Sequence, residues 1–309
     1  MSKERAQDPA AQIRRDLSKR SVETGENLTF VLERFAAQRL LYRLSVSEHR
    51  NRFVLKGAAL LAIWSEKPYR ATRDIDLLGW GENSAAGLRG VFLDLCGVQA
   101  QDGLVFDPES LKVEEIRESQ EYGGFRVKLR AYLGEAWVNV QVDIGFGDAV
   151  TPEAVEVEYP SMLDLPPAKL RAYPRETVVA EKLEAMVRLG LINSRMKDFS
   201  DLHYLSAEFA FDGRLLCAAV KATFARRQTI LPEGVPVALT ERFHGDAVTR
   251  RRWSGFLNTA RMKDDISLTD VCTGLTEFIV PVLASVASGE DFEQTWPPGG
   301  PWRKEPSNQ

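Results

Sequence analysis

Apolar and polar positions recur along this chain with two different periods, and each change of period marks an element. Between residues 26 and 48, Leu28, Val31, Leu32, Phe35 and Leu40 lie at spacings of mostly three and four, which predicts an amphipathic helix covering a core. Phe53-Val54-Leu55 reads as a short buried strand running into Lys56 and Gly57, and the apolar run from Ala58 to Trp64 reads as a helix. After the turn around Pro68, Arg73-Asp74-Ile75-Asp76-Leu77-Leu78 sets two acids among aliphatics. Side chains two apart on a strand point the same way, so this segment predicts a strand with both carboxylates on its polar face. Further strands are expected over 111–118, 124–133 and 137–146, the last two joined at Gly134-Glu135 as a hairpin.

The pattern then changes. A proline-rich boundary from Tyr159-Pro160 to Pro166-Pro167 precedes a half with few strand signals and helical ones over 176–191 and 196–208. The fold class expected is α/β (α+β), with a mixed-sheet core lobe and N-terminal helices over 1–165 and a mainly helical lobe over 166–288. The tail over 289–309 is rich in proline, glycine and polar residues and is expected to lack fixed structure. No internal repeat is visible.

Charge narrows the choice of partners. With 40 basic and 44 acidic residues the 309-residue chain has a net charge of −4, so it lacks the uniformly positive field of an indiscriminate nucleic-acid binder. Any polynucleotide contact has to be local. The stretch 214–263 carries ten Lys or Arg against three Asp or Glu, and Arg226, Arg227, Arg250, Arg251 and Arg252 in it are candidates for an RNA-binding face. Cys96, Cys217 and Cys272 are odd in number and far apart, which points to a reducing compartment. The charged start lacks the apolar stretch of a signal peptide, and no later run is read as the roughly 18 apolar residues of a membrane span. A cytoplasmic protein with no membrane partner is expected.

The acids at Asp74 and Asp76 carry the chemistry. Magnesium takes hard oxygen ligands, and phosphoryl transfer uses one or two such ions between nucleotide phosphates and an attacking hydroxyl. Two aspartates at i and i+2 supply such a clamp, and a third carboxylate from a neighbouring strand is needed nearer the nucleophile. Asp143 is the candidate, because alternation places Asn139, Gln141 and Asp143 on one face of its strand and Val138, Val140, Val142 and Ile144 on the other. Asp148 is the fallback if that register is wrong. Other chemistries lack their motifs: there is no GxxxxGK[ST], Gly145-Phe146-Gly147 lacks the third glycine of GxGxxG, and His49, His203 and His244 form no HExxH.

Fourteen residues separate Gly57 from Thr72, and the order Gly57-Ala58, helix, Arg70, Thr72, Asp74, Asp76 resembles the signature of polymerase-β-type nucleotidyltransferases. More closely, Leu55-Lys56-Gly57-Ala58-Ala59-Leu60 with Arg70-Ala71-Thr72-Arg73-Asp74-Ile75-Asp76-Leu77 resembles the AbiEii/AbiGii-type abortive-infection toxins, which usually have Gly-Gly or Gly-Ser where Gly57-Ala58 stands. Further blocks similar to that family run from Tyr173 to Ala185 and from Arg195 to Leu202.

The resemblance implies transfer of a nucleoside monophosphate from a nucleoside triphosphate to an acceptor hydroxyl, with Mg2+ in a two-ion site on Asp74, Asp76 and Asp143. Lys56, Gly57, Ala58, Arg70 and Thr72 are implied to hold the nucleotide. Lys182, matching the family's essential lysine, and Asp198 are implied to act on it from the second lobe. By the same resemblance the acceptor is the 3′ end of tRNA, whose blockage stops translation in phage defence, and a cognate antitoxin is the partner. Two alternatives stay open: the same chemistry on a protein or small molecule, or a nucleotide-binding regulator without turnover.

Overall fold

The computed structural model describes residues 9–65, 74–117, 123–260 and 266–304. The chain divides into two compact units: residues up to Gly147 together with Val155–Ala172, and Asp148–Ala154 together with the chain from Tyr173 onward.

In the first unit the order is α1 (Pro9–Thr24), α2 (Leu28–Ser45), β1 (Phe53–Lys56), a 3-10 turn (Gly57–Leu60), α3 (Leu61–Trp64), β2 (Ile75–Gly79), α4 (Ala85–Gly97), β3 (Leu104–Arg117), β4 (Gly123–Leu133), β5 (Ala136–Phe146), β6 (Val155–Tyr159) and β7 (Ala168–Ala172). The strands form one mixed sheet in the order β3-β4-β5-β2-β1-β7-β6. β2 runs parallel to β5, and β1 runs antiparallel to β2 and parallel to β7. The apolar phase of β4 (Phe125, Val127, Leu129, Ala131, Leu133) and of β5 (Val138, Val140, Val142, Ile144) is buried. α2 packs on β5 and β7, and α4 packs on β3. Asn27 caps α2 by accepting from the Thr29 amide at 2.8 Å, and Val31, Phe35, Leu40, Leu41 and Leu44 form its buried stripe.

That core also holds a charge. Asp102, fully buried, accepts from Arg43 through both oxygens at 2.7 and 3.0 Å and from Arg39 at 2.8 Å. Burial alone would raise the Asp102 carboxyl, but the Arg43 and Arg39 guanidiniums outweigh it and hold it below the ordinary carboxylate value.

The first unit ends at Ala172 because β6 and β7, two strands not read from the sequence, complete its sheet beside β1. β6 is a charged edge strand, Val-Glu-Val-Glu-Tyr, whose side chains resemble a solvated loop more than a core strand.

The second unit contains α5 (Arg175–Leu189), α6 (Met196–Glu208), β8 (Phe211–Asp212), α7 (Gly213–Arg226), α8 (Glu241–His244), α9 (Ala247–Ala260), α10 (Leu268–Ser288), β9 (Gln294–Trp296) and β10 (Arg303–Lys304). The tail expected to lack fixed structure is folded as far as Lys304: β9 pairs with both β8 and β10. Trp296 is buried and its indole donates to the Ser206 carbonyl at 2.7 Å, while Trp302 stacks on Phe278 with centroids 5.8 Å apart. Two tryptophans anchor a segment whose prolines and glycines alone suggested none. α10 is also a correction, since by length and composition it could cross a membrane. It is a core helix here, with Val271, Cys272, Leu275, Phe278, Ile279, Val282 and Leu283 buried.

Candidate active site

Strand register assembles the site in the first unit. Asp76 on β2 pairs with Asp143 on parallel β5 and with Lys56 on β1. Asp143 pairs in turn with Arg126 on β4, and Arg126 with Glu114 on β3. Paired residues face the same way, so Lys56, Asp76, Asp143, Arg126 and Glu114 form one row across five strands. Asp74 is exposed and immediately precedes β2, two residues from Asp76. The expected side-by-side placement of Asp76 and Asp143 is therefore present.

Arg126 was not read from the sequence. It donates from Nε to one Asp143 oxygen at 2.8 Å and from Nη2 to the other at 2.7 Å, a two-pronged charge-assisted link. The Asp143 hydrogen bond is the main cause, with the nearby Asp74 charge adding to it, of the Arg126 guanidinium being held above its ordinary value. The signal was available in the hairpin: with Gly134 at φ +60° in the turn, counting outward from Leu133 and Ala136 lands Arg126 opposite Asp143.

Gly57 shapes the other side. Its φ of +69° lies in the left-handed region, and a Cβ there would collide with the Asp76 carboxylate, whose Cγ would be 2.7 Å away. Only glycine lets the turn after β1 pass this close to the acid. Ala58 and Lys56 flank it, both partly exposed. Arg70 and Thr72 lie outside the described residues.

In the second unit Lys182 on α5 donates to Asp198 at 2.7 Å and to Asp201 at 2.8 Å, both on α6, and Arg195 reaches the other Asp198 oxygen at 2.5 Å. Asp198 and Asp201 are each 1% exposed. Burial would lower the Lys182 ammonium, but the Asp201 and Asp198 charges together raise it above its ordinary value. Burial likewise would raise Asp198, and Lys182 and Arg195 hold it low instead. Asp198 is thus a member of a buried charge cluster rather than a surface acid.

The basic stretch divides. Arg226, Arg250, Arg251 and Arg252 are exposed. Arg227 turns inward, donating to Glu184 at 2.9 Å and Asp148 at 3.0 Å and lying 3.2 Å from Glu181. Arg227 is accordingly a structural cation and not part of an RNA face, because three carboxylates consume its donors. Asp148, the fallback for Asp143, is one of these three partners of Arg227. One group the sequence did not suggest is Glu48, His49 and Asp94, whose ligand atoms lie within 4.8 Å of one another, with His49 2.9 Å from Asp94.

Residues 39–275 match the family model described as nucleotidyl transferase AbiEii toxin, type IV toxin–antitoxin system. The chain belongs to this AbiEii toxin family. It is therefore a nucleotidyltransferase whose family works with a cognate antitoxin and uses a nucleoside triphosphate. Among solved structures, JHP933 from Helicobacter pylori is similar over 84% of this chain and 94% of its own, with 13% identity and a TM-score of 0.47. A nucleotidyltransferase structure from H. pylori is similar over 85% and 98%, with 12% identity and a TM-score of 0.44. No curated protein matches the sequence.

Proposed function

We propose that this AbiEii-family enzyme is a cytoplasmic, magnesium-dependent toxin that adds a nucleoside monophosphate to the 3′ end of tRNA and so halts translation as part of phage defence, until its antitoxin restrains it. The observation that carries the reading is the row Lys56, Asp76, Asp143, Arg126, with Asp74 beside it.

The donor set fits magnesium: Asp74, Asp76 and Asp143 offer only hard carboxylate oxygens, and two of the three are in register on adjacent strands. Arg126 does not exhaust Asp143, because a carboxylate has about four lone-pair sites and two guanidinium donors leave the remainder for an ion. Asp74, Asp76 and Asp143 are the residues that would hold the ions. When bound, the ions supply charge neutralisation on the phosphates and a more acidic acceptor hydroxyl.

The chain's own groups do the rest. Gly57 lets the turn approach Asp76 without a Cβ, which leaves that carboxylate its place. Lys56 and this turn take phosphate oxygens. Arg126 orients Asp143, gripping both of its carboxylate oxygens through Nε and Nη2. Lys182, held by Asp198 and Asp201, is a preorganised cation for the triphosphate charge that grows as pyrophosphate leaves.

The test is incubation of the purified protein with total bacterial RNA, Mg2+ and each α-labelled nucleoside triphosphate, with Asp74→Ala as control, followed by a denaturing gel. A labelled tRNA-sized band absent from the control is expected. Label on protein alone, or none at all, overturns the proposed acceptor.

A further inference from the structure

The sheet face that carries the acids continues well beyond them. Rows of paired residues on β3, β4 and β5 follow the Glu114-Arg126-Asp143 row in order: Lys112-Lys128-Gln141, Asp107-Arg130-Asn139, and Val105-Tyr132-Trp137. Residues opposite one another share a face, and so do residues two apart, so all of these lie on the side of Asp76 and Asp143. Among the described residues this surface is open at its far end: Trp137 is 53% exposed and Val105 65%. Arg130 lies over the Trp137 ring at 4.6 Å and donates to the Tyr132 hydroxyl at 3.1 Å. Six positions separate Asp143 from Trp137, about 20 Å of antiparallel strand.

We infer that this face of β3–β5 is the platform for an unpaired polynucleotide strand, leading its end to Asp76 and Asp143. The inference rests on the nucleotidyltransferase reading and names the surface by which the acceptor is held. Trp137 lies at the hairpin end of β5, more than half exposed with the Arg130 guanidinium over its ring, and a base is a flat, sequence-tolerant stacking partner for such an indole. Lys112, Lys128 and Arg130 outnumber Asp107 and Glu114 along the same rows, which suits a phosphate backbone. The ion pair of Lys128 with Glu114, 2.9 Å long and about half exposed on both sides, is of the weak surface type that a phosphate can replace. The arrangement of cations with interleaved aromatics is that of a single-strand binder, whereas in α9, which carries the exposed Arg250, Arg251 and Arg252, Trp253 is buried.

The test is binding of the full chain to a fluorescent unstructured oligoribonucleotide, read by anisotropy at several salt concentrations without nucleotide, so that turnover plays no part. Trp137→Ala is expected to weaken binding about 5- to 100-fold, and Trp137→Phe to restore most of it. Lys128→Gln with Arg130→Gln is expected to flatten the slope of log affinity against log salt by about 1.4, two phosphate contacts at about 0.7 each. In the transfer assay, Trp137→Ala raises the KM for RNA and leaves the KM for nucleotide unchanged. Oligonucleotide affinity unchanged in Trp137→Ala, or lost instead in an Arg250→Gln, Arg251→Gln, Arg252→Gln triple variant, overturns the inference and leaves the face to a protein partner. A wild-type protein that binds the oligonucleotide in a Trp137-dependent way yet labels no RNA would overturn the proposed RNA acceptor while supporting the platform.

Discussion

Replacing Gly57 by alanine tests the site more sharply than deleting an acid, because it changes no charge and removes no ligand. Two costs follow from the structure. A non-glycine residue at φ +69° pays a left-handed penalty of about 1–2 kcal/mol. The new Cβ also falls within the volume of the Asp76 carboxylate, 2.7 Å from its Cγ, so Asp76 must swing away by about 1 Å or the turn must open. The first cost predicts a fall in thermal midpoint of about 2–8 °C for a unit of this size, readable by scanning fluorimetry. The second predicts a loss of transfer rate of about 100-fold at 25 °C, where the variant is still folded, because a displacement of that size at a catalytic group costs about that much. The rate is measured with saturating labelled nucleotide and RNA. Gly81→Ala is the control: Gly81 is also left-handed, at φ +88°, but a Cβ there meets nothing within 4 Å, so it carries the backbone cost alone and is expected to keep transfer within about threefold. If Gly57→Ala stays folded and transfers at the wild-type rate, Asp76 does not act from this position and the assignment of the row fails.

Asp76→Ala is expected to abolish both growth inhibition and labelling of RNA while the thermal midpoint stays within a few degrees, since it deletes a ligand rather than core volume; retained labelling would exclude Asp76 from the site. Asp102→Asn leaves the guanidiniums of Arg39 and Arg43 buried without their countercharge and is expected to cost about 3–5 kcal/mol in urea denaturation. In the wild type, Asp102 is depressed when folded, so its contribution is complete above the ordinary carboxylate value and is lost as pH falls through its lowered folded value. Lys182→Met takes the shared ammonium from two buried carboxylates. The buried negative charge left beside Arg195 is then no longer balanced, and the variant is expected to lose about 3–5 kcal/mol of stability in urea denaturation at pH 7. Arg227→Ala should lower stability by about 3–5 kcal/mol and leave oligonucleotide affinity unchanged, because that side chain serves Asp148, Glu181 and Glu184.

Much of the candidate site was legible because it depends on local rules. Alternation in Val138 to Ile144 placed Asp143 on the polar side, which follows from the period of a strand and needs no partner, whereas the i, i+2 rule reaches Asp76 alone, because β2 begins at Ile75 and Asp74 precedes it. Which strands lie side by side is a different kind of information. Nothing within Asp-Ile-Asp says that β5 runs parallel beside it, so the pairing of Asp76 with Asp143 could be expected but not counted. Arg126 was within reach through the hairpin turn, and was passed over because an arginine on an exposed strand is ordinary. Arg227 was misread for the converse reason: its neighbours in sequence are basic, whereas its neighbours in space are acidic and come from as far away as Asp148. β6 and the tail escaped because charged or proline-rich composition describes the average setting of such residues, and here single side chains, Tyr159 and Trp296, decide the packing.

The family match ends at residue 275, inside α10, so the clasp formed by β9, Trp296, β10 and Trp302 lies beyond what the family model matches. Its effect is on how the protein can be handled and joined to others. A truncation at Ser288 would strip the cover from Phe278 and leave a long apolar helix with a greasy stripe toward water, a surface that seeks membranes, chaperones or other copies of itself. Purification tags and fusions therefore belong after Lys304 or at the other end of the chain, and a shortened version that proves insoluble or lipid-bound reports the missing clasp, not the nature of the toxin.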